Sequence, residues 1–165
     1  MGASLGFIPG FLATALSEDL DVSRGMIGLI VGIYFGATGI GSIPAGRFTD
    51  KFGARNVATI NMFLVAGSSL FIAIFNSYAM WIIGSVVGGM GYALGNTSTN
   101  VAIGHAVPIE RRALAMSIKT SGVPLMATIA AATAPWAANV WSWERVVVFN
   151  AIVASVSGVF TYLIL

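Results

Sequence analysis

The chain contains no cysteine and only one histidine, His105. Disulfides and thiolate metal sites are therefore excluded, and a metal cluster built on histidine lacks ligands. Charge is nearly as scarce. Acidic and basic residues make up 8% of the 165 positions, against about 25% in soluble domains. So few charges cannot cover a water-facing surface. With 57% hydrophobic residues and a mean hydropathy of +0.89, most of the chain reads as solvated by lipid. The net charge of +2 and pI near 9.3 rest on dispersed residues that form no stripe or patch, so no nucleic-acid partner is expected. The apolar runs also lack a nucleophile–base pair, paired carboxylates and a phosphate loop. No enzymatic activity, metal or cofactor is expected, and drive by ATP is not supported.

What the sequence does have is a succession of long uncharged runs. A bilayer core of about 30 Å takes roughly 20 apolar residues in a helix. Gly25–Gly46 makes one such span. Asn56–Ile109 is too long for one and suits two, near 57–75 and 79–103, divided at the polar pair Asn76 and Ser77. Ala113–Asn139 makes another, interrupted by one charge, Lys119, and Val146–Leu165 makes the last. Met1–Ser17 is apolar but short. It has no basic region before it, which argues against a secretory signal and for a helix whose first turns are missing. The expected fold is an all-α polytopic membrane bundle of about six helices, the first truncated. It forms one domain over residues 1–165, part of a longer protein.

The charges sit between these runs. The stretch Gly46–Arg55 reads as a compact hairpin loop holding Arg47, Asp50, Lys51 and Arg55. Arg47, Lys51, Arg55, Arg111 and Arg112 fall in the even-numbered connections, while only Arg24 and Arg145 fall in the odd ones. Basic residues concentrate on the cytoplasmic side, which predicts even-numbered loops and the N-terminus in the cytoplasm of a plasma (inner) membrane. Trp136, Trp141 and Trp143 at one span end, and Tyr78 with Trp81 at another, read as interfacial aromatic belts.

Lipid gives helices no hydrophobic reason to associate, so small residues that permit close approach matter. Gly32-x-x-x-Gly36, Gly84-x-x-x-Gly88, Gly91-x-x-x-Gly95 and the alanines between Ala127 and Ala137 are such faces, for static packing or for a sliding interface. Pro44, Pro124 and Pro135 lie within or at the ends of spans and each removes a backbone hydrogen bond.

The motif Gly46-x-x-x-Asp50-Lys51-x-Gly53-x-Arg55 resembles the connection between the second and third helices of major facilitator superfamily transporters, with Asn56 at the final, usually basic, position. Pro108-x-Glu110-Arg111-Arg112 is similar to that family's connection between helices four and five, and Trp143-Glu144-Arg145 to the start of its helix six. The resemblance covers the whole chain as the N-terminal six-helix half of a twelve-helix protein. It implies a second, C-terminal half, a central solute path and alternating access by rocking of the halves, with inverted repeats nested in each half. It also implies a conformational gate at Gly46, Asp50, Lys51, Gly53 and Arg55. Ser85 stands where the family often carries an arginine linked to proton coupling. Ala134-Pro135-Trp136 keeps the proline but not the glycines of the antiporter signature.

Among single residues, Lys119 is the leading candidate for solute contact. An ionisable group inside a span is costly and usually faces a cavity, although a lysine near a helix end can also snorkel to the interface. A cation there favours an anionic or strongly polar solute. Asn96 and Asn100, one turn apart in the polar run 96–100, are further candidates to bind solute or to knit helices together. Tyr34 and Tyr92 are candidate cavity walls; Asn61 and Asn150 are weaker ones. Asp50 is expected to cap a helix N-terminus or to pair with basic residues across helix ends. The resulting expectation is a secondary transporter of a small solute in a lipid bilayer. The alternatives are a complete six-helix unit acting as a homodimeric carrier or channel, and a membrane subunit that does not transport.

Overall fold

The structure, a computed structural model, describes residues 3–164. It is built of helices: α1 (Ser4–Phe11), α2 (Ala13–Asp19), α3 (Arg24–Phe52), α4 (Ala54–Phe75), α5 (Tyr78–Ala106), α6 (Ile109–Val140) and α7 (Trp143–Ile164), with no strand among the described residues. The five helices from α3 to α7 are long and apolar enough to cross a membrane. The expected all-α bundle is therefore present.

The short first segment is a bent helix in two pieces. The chain bends at Leu12 (φ −95°, ψ 12°). The bend is held, since Leu12 N donates to Ile8 O and Leu16 N to Leu12 O, both at 2.9 Å. Leu5, Ile8, Leu12 and Leu16 share one side through the bend, and all are buried. The expected start of this segment, Met1 and Gly2, lies outside the described residues, as does Leu165 at the other end.

The expected hairpin loop at Gly46–Arg55 is corrected. Helix α3 continues through Phe52, and a single residue, Gly53, joins it to α4. Gly53 has φ +81°, a value that ends α3 and that a side chain would resist. Nothing between Gly46 and Phe52 breaks a helix, and the cation Lys51 in the last turn complements the helix dipole. The charges thus ride on helix ends. The later connections, from α4 to α5, α5 to α6 and α6 to α7, take two residues each. Ser23 and Ser77 cap α3 and α5 by accepting from Met26 N and Met80 N at 3.3 and 3.4 Å. Arg111 and Arg112 belong to the first turn of α6 rather than to a loop.

Helix α5 is the centre of the bundle and uses its glycines for close contact. It packs on α3 and α4, and α4 packs in turn on α7. Gly84 faces Ile72, Gly88 faces Leu5 and Tyr34, Gly91 faces Leu64 and Gly95 faces the Asn61 side chain. By contrast Gly32 and Gly36 of α3 have no atom within 4 Å of where a Cβ would sit. Helix α6 is the least embedded, with only Ala134 buried.

Two aromatic expectations are also corrected. Trp81 and Trp143 do not face the surroundings as a belt residue does: they are 0% and 3% exposed, and their rings pack together at 5.8 Å. In an apolar chain the same residue type serves the lipid boundary and the core, and only tertiary contact separates them. Trp143 Nε1 donates to Asp19 Oδ2 at 2.8 Å, tying α7 to the end of α2. Trp136 and Trp141 do remain exposed, with their rings 6.3 Å apart.

Candidate functional site

Helices α4, α5 and α6, with Thr161 of α7, line an open cleft of about 720 Å³. Its floor comes from α4 and α5 packing tightly through Gly91 and Gly95. Its far wall is α6, which stands off from α5 enough to leave the space.

Lys119 reaches into this cleft from α6. About 15 Å of helix separates it from Ile109 at 1.5 Å per residue. Its ammonium crosses to α5 and donates to Asn96 O at 3.1 Å, to Asn96 Oδ1 at 2.6 Å and to Asn100 Oδ1 at 2.5 Å. An ammonium has three protons, and here each has an acceptor. The spacing explains the geometry: Asn96 and Asn100 are one helical turn apart, so both amides face α6 together. The acceptors are all neutral. Among the described residues lining the cleft, Lys119 is the one charged side chain, with no acid beside it.

The rest of the lining divides into two kinds. Met62, Met116 and Val123 give apolar, deformable surface. Tyr92, Thr99, Thr120 and Asn61 add polar atoms. Thr99 Oγ1 is already committed to Gly95 O at 2.7 Å. Asn61 is 2% exposed, and its Oδ1 is buried without a hydrogen-bond partner.

Of the sequence candidates, Lys119, Asn96, Asn100 and Tyr92 therefore meet at one cleft. Tyr34 does not line it. It is fully buried behind Tyr92, with the two rings stacked at 6.2 Å. Its neighbourhood is the α3–α5 contact, where Gly88 and Gly89 press against it. Asn150 also lies elsewhere, in a relay in which Ser4 Oγ donates to Asn150 Oδ1 and Asn150 Nδ2 donates to Ser69 Oγ at 2.9 Å. Thr120 and Met116 were not singled out from sequence. Their position one residue after and three before Lys119 on α6 was the available signal.

The residues of the charged motif gather at the α3–α4 junction. Gly46 lies inside α3, Gly53 forms the turn, and Asp50 is exposed on the last turn of α3 rather than at a helix N-terminus. Lys51 Nζ sits 5.4 Å from the Phe52 ring centroid. The Arg55 guanidinium lies 4.2 Å from the ring of Tyr162, which joins the start of α4 to the end of α7.

A second, apolar cleft of about 370 Å³ lies between α1, α6 and α7, beside Asn150 and Trp136.

Comparison with known proteins agrees with this architecture. The family described as the Major Facilitator Superfamily matches residues 1–165. The chain belongs to the Major Facilitator Superfamily. Among its curated relatives is the 4-hydroxybenzoate transporter PcaK of Acinetobacter baylyi, 24% identical over 135 residues, covering 82% of this chain and 30% of the relative. Another is a gallate transporter of Pseudomonas putida, 25% identical over 141 residues, covering 84% of this chain and 31% of the relative. The chain thus spans about a third of the length of the curated relatives it matches. As a superfamily member with five helices fit to cross a bilayer, it is an integral membrane protein.

Proposed function

We propose that this chain is the N-terminal six-helix half of a secondary transporter that moves small aromatic carboxylates across a bacterial inner membrane by alternating access. The observation that carries the reading is the single cation, Lys119, in a cleft otherwise lined by neutral polar and apolar side chains. A carboxylate suits the ammonium, because charge-assisted hydrogen bonds are roughly twice as strong as neutral ones. A flat ring suits Tyr92, Met62, Met116 and Val123 beside it. The relatives named for 4-hydroxybenzoate and gallate transport point to the same solute class.

The remaining half of the path belongs to a second six-helix bundle. The open faces of α3 at Gly32 and Gly36 and the thinly covered α6 are surfaces such a half would use. The α3–α4 junction, with Asp50, Lys51 and Arg55, lies on the cytoplasmic side in this reading and makes and breaks contacts as the halves rock.

The test is uptake of radiolabelled 4-hydroxybenzoate by the full-length protein in proteoliposomes, with and without a proton gradient. Saturable uptake that Lys119→Met weakens at least tenfold in KM supports the reading. Uptake that Lys119→Met leaves unchanged removes Lys119 from the solute site. Solute flux by the 165-residue chain alone would favour the homodimeric alternative.

A further inference from the structure

We infer that Asn96 and Asn100 set the charge selectivity of the cleft: they hold the Lys119 ammonium in place through neutral acceptors, so the site keeps one uncompensated positive charge and selects a monoanion over its neutral analogue. The inference rests on the cleft being the solute site, as proposed above.

A lysine two to three turns into a span has two resting places. It can extend along its own helix toward the interface, or it can find acceptors inside. Here the ammonium is turned across to α5, where three oxygens within 3.1 Å receive it. Helices α5 and α6 otherwise touch sparsely, so these bonds are a main link between them. Two asparagines satisfy the protons without cancelling the charge. A carboxylate at either position would satisfy them equally well and make the site neutral. The amide carbonyls are also weaker acceptors than a carboxylate. An arriving anion can therefore take over Nζ protons from Asn96 and Asn100, while a neutral solute of the same shape gains nothing by displacing them. Asn96 and Asn100 act through Lys119 and are positioning residues.

The experiment measures binding of 4-hydroxybenzoate and of 4-hydroxybenzamide, its uncharged analogue, to the purified full-length transporter at pH 7. The wild-type protein is expected to bind the anion at least tenfold more tightly than the amide. Asn96→Asp and Asn100→Asp are each expected to weaken anion binding tenfold or more and to change amide binding less than threefold. Asn96→Ser, which keeps a neutral acceptor, should retain the anion preference. Equal wild-type affinity for the two probes overturns the inference without any variant being needed. So does an Asp variant that tracks Asn96→Ser, or one that loses both probes alike, since that loss marks a merely structural role. If Lys119→Met abolishes anion binding while the Asp variants keep it, the proposed solute site stands and this inference falls. Failure of the wild type to bind either probe removes both.

Discussion

Gly89 of α5 packs directly on the backbone carbonyl of Tyr34 in α3, and the single Thr38 Oγ1 proton is shared there between Tyr34 O of its own helix at 2.8 Å and Gly89 O across the contact at 3.1 Å. A Cβ on Gly89 would overlap the Tyr34 carbonyl oxygen, which is backbone and cannot swing aside. Gly89→Ala should therefore force α3 and α5 apart, with a loss of about 1–3 kcal/mol by analogy with overpacked cores. Gly67→Ala is the control: no atom lies within 4 Å of its Cβ position, and in a helix the added methyl should stabilise by roughly 0.5–1 kcal/mol. Thermal unfolding of the full-length protein in detergent distinguishes the two. A Gly89→Ala midpoint at or above wild type would contradict the close packing.

The contact between Arg55 and Tyr162 predicts a coupling across the α4–α7 end of the bundle. Both side chains are exposed, so the attraction of guanidinium for ring is worth about 0.5–1 kcal/mol. Tyr162→Phe should retain most of it, whereas Tyr162→Leu and Arg55→Gln should each lose it. The double variant should cost no more than the larger single one, as measured by a double-mutant cycle on unfolding in denaturing detergent. Full additivity would mean the two residues do not interact.

How much of this was legible in the sequence depended on what lipid makes rare. The spans were legible because a bilayer fixes their length, and Lys119 with Asn96 and Asn100 stood out because polar groups inside spans are few. Burial was not legible. When both the core and the surroundings are apolar, Trp81 and Trp136 look alike in sequence, yet one is fully enclosed and the other is 62% exposed. Tyr34 and Tyr92 are equally indistinct until α5 glycines are seen pressing on the first. The Gly46–Phe52 stretch read as loop because charge was taken as a break, although cations at a helix C-terminal end favour continuation.

The relay from Ser4 through Asn150 to Ser69 joins α1, α7 and α4, and Ser69 Oγ in turn donates a hydrogen bond to Val65 O at 2.8 Å. Interhelical hydrogen bonds in membranes average about 0.6 kcal/mol and reach about 1.7. Asn150→Ala, which strips both neighbours of a partner, should fall toward the upper end of that range. Ser69→Ala should cost less, and the pair should be non-additive. Unfolding in denaturing detergent measures all three. Independent effects of Asn150→Ala and Ser69→Ala would mean that the relay does not act as a unit.

Asn61 poses the opposite case, a buried amide whose Oδ1 has no partner. A buried acceptor left unsatisfied costs about 1–3 kcal/mol, so replacing it with an apolar side chain of similar size should not destabilise. Asn61→Leu, which has the same number of heavy atoms with a tetrahedral rather than planar Cγ, is expected to leave the unfolding midpoint unchanged or to raise it once its methyls settle against Gly95, which lies against the Asn61 amide. Asn61→Asp should lower it, because burying a carboxylate is costlier than burying the amide. Solute binding supplies a second readout. Asn61 lines the same cleft as Lys119, and a phenolic hydroxyl is a donor that its oxygen lacks. If the amide serves the solute, Asn61→Leu should weaken binding of 4-hydroxybenzoate several-fold while leaving benzoate, which has no hydroxyl, within twofold. Equal loss of both ligands would assign Asn61 to packing alone.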